Sequence, residues 1–168
     1  MPNFYNDDQL TKGIVGLMQG VIDEVSEELK KLLDDDGGLI DTIIYQANTP
    51  KWYGRQGKSG GLMGMWDKQP TKTKGNSVQS EIYADDGLLV NDPDAFIHGS
   101  NYWAGGNDIT GMLIDLVVGG GSGPLFGDGF WTGPRDFWTP FLEMLDDGTV
   151  SGLVEAAFRA RGINFIKG

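Results

Sequence analysis

Residues 7–34 read DDQLTKGIVGLMQGVIDEVSEELKKLLD. Leu10, Ile14, Leu17, Val21, Val25, Leu29 and Leu32 recur at spacings of three and four, which places them on one face of a helix. The stretch also carries its own start and stop signals. Asn6 stands where an N-cap is needed, and Asp7 and Asp8 suit the positive end of the helix dipole. Lys30 and Lys31 lie near the other end, and Gly37-Gly38 supplies the stop. Gly13, Gly16 and Gly20 weaken the first half but share a face on which another backbone can come close. A long N-terminal helix over 7–34 is therefore the first expectation.

Further along the chain the signals are shorter. Residues 39–46 (LIDTIIYQ) are β-branched and fit either a strand or a second short helix before Pro50. Residues 61–67 and 77–84 read as two strands, and the polar stretch between them (KQPTKTKGN) reads as the loop or mobile tip of a hairpin near 68–77. Asp85-Asp86-Gly87 signals a turn, followed by a short apolar strand, Leu88 to Val90. Residues 109–118 predict a helix. A glycine-rich and aromatic loop follows, mobile over 119–133. Pro140 opens a helix at about 140–147 with Thr139 as its cap, and 149–161 predicts a last helix with a stripe of Val150, Leu153, Val154, Ala157 and Phe158. Residues 162–166 are read as a terminal strand. The order predicts an α+β fold: a long N-terminal helix and C-terminal helices packed on an antiparallel β-sheet with a long hairpin. No internal repeat and no second domain are visible, so 1–168 reads as a single domain.

Composition limits the possible functions. The 168 residues carry no cysteine, which excludes disulfides, thiolate chemistry and sulfur-ligated zinc. The first residues show neither the basic nor the apolar run of a signal peptide, and no window is apolar enough for a membrane span, so a protein made in the cytoplasm with no membrane partner is expected. The net charge of −11 argues against tight DNA binding, which depends on Lys and Arg. That charge is uneven. Residues 51–74 hold Lys51, Arg55, Lys58, Lys68, Lys72 and Lys74 against Asp67, a net of +5 that leaves −16 for the rest. Such a segment is either a solvated hairpin with basic tips or an element that docks on an acidic neighbour.

Catalytic signatures are incomplete. Gly54-Arg55-Gln56-Gly57-Lys58-Ser59 ends like a phosphate loop, but Trp52 occupies the place of its first glycine and a strand, not a helix, is expected to follow. Gly119 to Gly123 follows a helix, the reverse of the dinucleotide-binding order. His98 is the only histidine, and no sequence signal places a serine and a carboxylate beside it. The acidic groups Asp34-Asp35-Asp36, Asp85-Asp86, Asp92/Asp94 and Asp146-Asp147 adjoin Gly or Pro and lack calcium-loop spacing, so they read as turns and helix ends. No enzyme activity, cofactor or metal is expected.

Two segments carry a family resemblance. Asn48-Thr49-Pro50-Lys51-Trp52-Tyr53-Gly54-Arg55, followed by Ser59-Gly60-Gly61-Leu62, resembles a run common in phage tail-completion proteins, also called head–tail joining proteins. Arg135-Asp136-Phe137-Trp138-Thr139-Pro140-Phe141-Leu142 resembles the late Pro-Phe-Leu element of that family, and Arg161-Gly162-Ile163 fits its usual ending. Element order agrees over roughly residues 7–168, with a longer glycine-rich stretch at 119–133 than many relatives have. The resemblance implies a virion protein of the neck or upper tail of a long-tailed bacteriophage, made in the host cytoplasm. It would form a closed homo-oligomeric ring, of six subunits in preference to twelve, and meet neighbouring head-connector and tail-tube or tail-terminator proteins. DNA would pass through without specific binding.

The residues suit that role on their own terms. Trp52, Tyr53, Phe126, Phe130, Trp131, Phe137 and Trp138 fall in expected loops, where aromatics beside Arg55 and Arg135 have the composition of interface anchors or of side chains folded back onto the core. A head-to-tail ring needs two different patches per subunit. The basic hairpin 51–74, with Lys68, Lys72 and Lys74, is nominated as one, and the acidic surface of helix 7–34 as the other. Alternatives are another neck or tail subunit such as tail tube, a carbohydrate-binding module, and a small hydrolase using two carboxylates.

Overall fold

The computed structural model describes residues 6–47, 60–75, 77–89, 113–120 and 134–164. Among these, α1 spans Asp7–Asp34, β1 Trp66–Lys68, β2 Lys72–Lys74, β3 Ser77–Gln79, β4 Ile82–Ala84, α2 Leu113–Gly119, α3 Trp138–Asp146 and α4 Thr149–Ala160. The architecture is α+β: a long N-terminal helix, C-terminal helices and a small antiparallel sheet of two strand pairs, β1 with β4 and β2 with β3. No described helix is long and apolar enough to cross a membrane.

Helix α1 begins as its sequence requires, with the Gln9 N–H donating to Asn6 Oδ1 at 2.9 Å. Its apolar stripe is not uniformly covered. Val21, Val25, Leu29 and Leu33 are buried, whereas Leu10 and Ile14 stay 42% and 50% exposed and Leu32 lies at the surface. Equal spacing does not ensure equal burial, because the stripe is covered only where another element packs over it.

The segment 39–46 is helical. Leu39 and Ile40 lead into a π-helical stretch, Asp41–Gln46, and the Asp41 carboxylate accepts bonds from the Gly37 N–H at 2.9 Å and from Gln46 Nε2 at 2.7 Å. The hairpin differs more from expectation. Residues 62–64 form a turn, and β1 starts only at Trp66. The polar stretch expected as a tip contains strand β2 and the last residue of β1. Lys72 pairs with Gln79, Thr73 with Val78 and Lys74 with Ser77, and the chain turns between β2 and β3. Gly75, at φ +59°, opens that turn with a conformation costly for other residues. Of the expected strand Leu88–Val90, Leu88 ends a 3₁₀ turn, Asp86–Leu88, which Asp85 caps by accepting the Gly87 N–H at 2.9 Å, and Val90 lies outside the described residues.

Helix α3 starts before Pro140, and its cap is Asp136, not Thr139. Asp136 Oδ1 accepts from the Trp138 and Thr139 N–H groups, both at 2.9 Å. Asp147, one residue before the N-cap Gly148 of α4, accepts from the Thr149 N–H at 2.8 Å and the Thr149 hydroxyl at 2.6 Å. Gly148, at φ +97°, makes the corner between the two helices. Residues 163–164 are irregular. The rest of the expected terminal strand, 165–166, lies outside the described residues, as do 109–112 of the expected helix before α2.

The expected single domain contains two compact units whose segments interleave along the chain. The first is drawn from Met1–Lys30, Lys68–Tyr83 and Met144–Gly168, the second from Lys31–Asp67 and Ala84–Glu143. The first unit packs Val21, Val25 and Leu29 of α1 with Ala157 of α4, and Ile82, Leu145, Val150, Leu153, Val154 and Phe158 close around them. The second buries Leu33, Ile40, Ile44, Leu62, Met63, Met65, Trp66, Val117, Phe137 and Phe141. Tyr45 Oη there accepts the Leu62 N–H at 3.2 Å, and the Arg135 N–H donates to the Val117 carbonyl at 2.9 Å.

Candidate assembly surface

The two strands of the β2–β3 hairpin alternate their side chains between two faces. One face turns toward α1 of the same unit. Gln19 Nε2 donates to Thr73 Oγ1 at 2.8 Å, and Thr71 Oγ1 donates to Asp23 Oδ1 at 3.1 Å. The match is geometric: two residues along a strand advance about 7 Å, and four along a helix advance about 6 Å. Thr71 and Thr73 can therefore meet Asp23 and Gln19, which lie one turn apart.

Lys68 belongs to this inner set. Its ammonium lies 2.7 Å from Asp23 Oδ1 and 3.6 Å from Glu27 Oε2, donates to the Asp23 carbonyl at 3.3 Å, and its side chain is only 15% exposed. The hydrogen bond from Lys68, with that from Thr71, holds the Asp23 carboxyl below the usual carboxylate range against a smaller opposing effect of burial. A second tie closes the same unit. Arg161, just past α4, donates to Glu24 Oε2 on α1, to the Gly20 carbonyl at 2.9 Å and to the Ala157 carbonyl at 2.8 Å. A Cβ at Gly20 would come within 3.3 Å of Arg161 Nη2, so the glycine makes room for the guanidinium.

These contacts redistribute the charges expected at the surface. Asp23, Glu24 and Glu27, part of the acidic surface of α1, are met by Lys68 and Arg161 of their own chain. Lys72 and Lys74 occupy the other face of the hairpin, exposed, opposite Gln79 and Ser77. Neither has an acidic partner among the described residues.

The expected aromatic anchors divide. Phe137 is fully buried in the second unit, and Trp138 is half-buried beside it. Trp66 stacks on Trp138 with ring centres 5.7 Å apart and 18° between planes, and meets Phe137 edge-on at 6.0 Å. Trp66 Nε1 is buried without a hydrogen-bond partner among the described residues. Arg135 is partly exposed. Trp52, Tyr53 and Arg55 lie outside the described residues, as do the Gly54–Ser59 loop, His98, and 121–133 of the glycine-rich stretch. Sequence reasoning did not find Gln19, Asp23, Thr71 or Arg161 as a connected set. The only available signals were the alternation of Thr and Lys over 71–74 and the i, i+4 spacing of Gln19 and Asp23.

No group of metal-ligating side chains occurs among the described residues. Asp23, Asp136 and Asp147 have their pKa lowered by hydrogen bonds that fix local structure. Comparison of the chain with protein-family models, curated proteins and solved structures yields no match.

Proposed function

We propose that this chain is a structural virion protein of the neck or upper tail of a long-tailed phage, where it joins tail to head by forming a ring and acts by assembly alone. The observation that carries the reading is the outer face of the β2–β3 hairpin: Lys72 and Lys74 side by side, exposed and without an acidic partner among the described residues, on a chain of net charge −11. Lysines so placed on an acidic chain favour contact with an acidic neighbour, and a second copy is acidic by construction. The resemblance of 48–62 and 135–142 to tail-completion proteins supports the same reading, as does the order of long helix, hairpin and C-terminal helices. The ring would have six subunits in preference to twelve, bind head-connector and tail-tube or tail-terminator proteins, and let DNA pass without specific binding.

Electron microscopy of phage lacking this protein tests the proposal. Filled heads lying beside separate, finished tails are the expected outcome, and complementation with the intact chain restores joined particles. Normal particles in its absence overturn it.

A further inference from the structure

The first unit also has an open groove of about 730 Å³ at the corner of α3 and α4, lined by Leu145, Val150 and Val154 with Asp146, Ser151 and Glu155. Its charged groups differ in availability. Glu155 is held by Arg159 at 2.6 Å, whereas Asp146 is exposed and has no partner among the described residues. The groove thus offers an apolar wall and one free anion. The hairpin offers two free cations whose long methylene stems can lie on such a wall. The two surfaces share no residue.

We infer that the β2–β3 hairpin of one copy seats in the α3–α4 groove of the next, with Lys72 and Lys74 over the Asp146 rim. This rests on the ring reading above and names its two patches. The groove replaces the acidic face of α1, whose Asp23, Glu24 and Glu27 are already engaged by Lys68 and Arg161 within the chain. A contact between two different patches is head-to-tail, and repetition closes a ring. The strength of the contact in the ring comes from each subunit being held on both sides, so that leaving requires two contacts to break.

Charge reversal of the full chain, read by sedimentation across a concentration series, tests the inference. Lys72→Glu with Lys74→Glu puts acid against acid at every contact, and Asp146→Lys puts base against base. Each variant alone is expected to associate at least tenfold more weakly than the parent while keeping its circular dichroism spectrum and melting point. An equimolar mixture of the two restores assembly, because in an alternating ring every acidic hairpin meets a basic groove and every basic hairpin an acidic groove. Lys12→Glu, a reversal elsewhere on the first unit, leaves assembly unchanged. If the parent forms rings and either reversal assembles equally well, or the mixture fails to recover, the assignment of patches is overturned while the ring reading stands. If the parent stays monomeric at every concentration, both fall.

Discussion

The Lys68 ammonium lies 2.7 Å from the Asp23 carboxylate of its own chain, across a sequence separation of 45 residues. That contact divides a basic segment in two. Lys68 helps to hold the hairpin on α1, together with the Thr71–Asp23 and Thr73–Gln19 bonds, while Lys72 and Lys74 are left on the opposite face. Three lysines that look alike in sequence therefore serve different ends. A test of assembly that reverses Lys68 would also weaken the subunit itself.

A double-mutant cycle on Lys68→Ala and Asp23→Ala should show this directly. Asp23 is half exposed, so the coupling should be about 0.5–1 kcal/mol, the upper part of the range for surface pairs. Urea unfolding of the four proteins measures it, and the coupling should shrink as salt is added. Zero coupling at low salt would mean that the hairpin is held by its threonines alone.

Asp23, Asp136 and Asp147 predict the shape of the acid limb of stability. Each carboxyl has a lower pKa folded than unfolded: Asp23 through Lys68 and Thr71, Asp136 through the Thr139 hydroxyl and N–H with the Trp138 N–H, Asp147 through the Thr149 hydroxyl and N–H. The unfolded carboxyl titrates near about 3.9. Around that pH the unfolded chain binds more protons than the folded one, so stability rises with pH. The contribution is complete above the unfolded pKa and is lost as pH falls through the lower, folded values. Melting points taken from pH 6 downward should fall steeply below about pH 4. Replacing all three residues by Asn should lower the plateau and flatten that fall.

Arg161 gives a prediction about geometry as well as charge. Its guanidinium reaches Glu24, the Gly20 carbonyl and the Ala157 carbonyl at once, and an ammonium cannot span the same three acceptors. Arg161→Lys should therefore destabilise the first unit by about 1 kcal/mol although the charge is kept. Gly20→Ala sets a gain in helix propensity of about 1 kcal/mol against a penalty, since its new Cβ would crowd the guanidinium at 3.3 Å. In the Arg161→Lys background that penalty should shrink, and thermal melts of the single and double variants read the difference.

How far the sequence shows the structure depends on the range of the interactions. Helices α1, α3 and α4 could be read because their signals lie within one or two turns, as Asn6 capping Gln9 illustrates. Strand β2 could not, although β3 falls within the strand expected over 77–84. Three residues long and carrying two lysines, β2 is set by its pairing with β3, the turn at Gly75 and bonds to α1, so local propensity reads it as a loop. The same limit hid the partner of Lys68. For aromatics near a helix start, burial and interface use leave the same trace in a sequence. Only packing separates Phe137, fully buried, from a surface anchor.

Phe137 and Trp138 can accordingly be told apart by experiment. Phe137 lies in the core of the second unit, edge-on to Trp66 at 6.0 Å and to Trp138 at 6.5 Å. Phe137→Ala should cost about 3–5 kcal/mol, the range for emptying a buried aromatic site. The loss should appear in urea unfolding of the subunit at concentrations too low for association. Trp138 keeps part of its surface, so Trp138→Ala should cost less. Because it removes the near-parallel stack on Trp66, it should change the near-ultraviolet circular dichroism of the folded subunit. If Phe137→Ala instead left subunit stability intact and abolished only assembly, the ring would be an intersubunit anchor and its burial would belong to the assembled state.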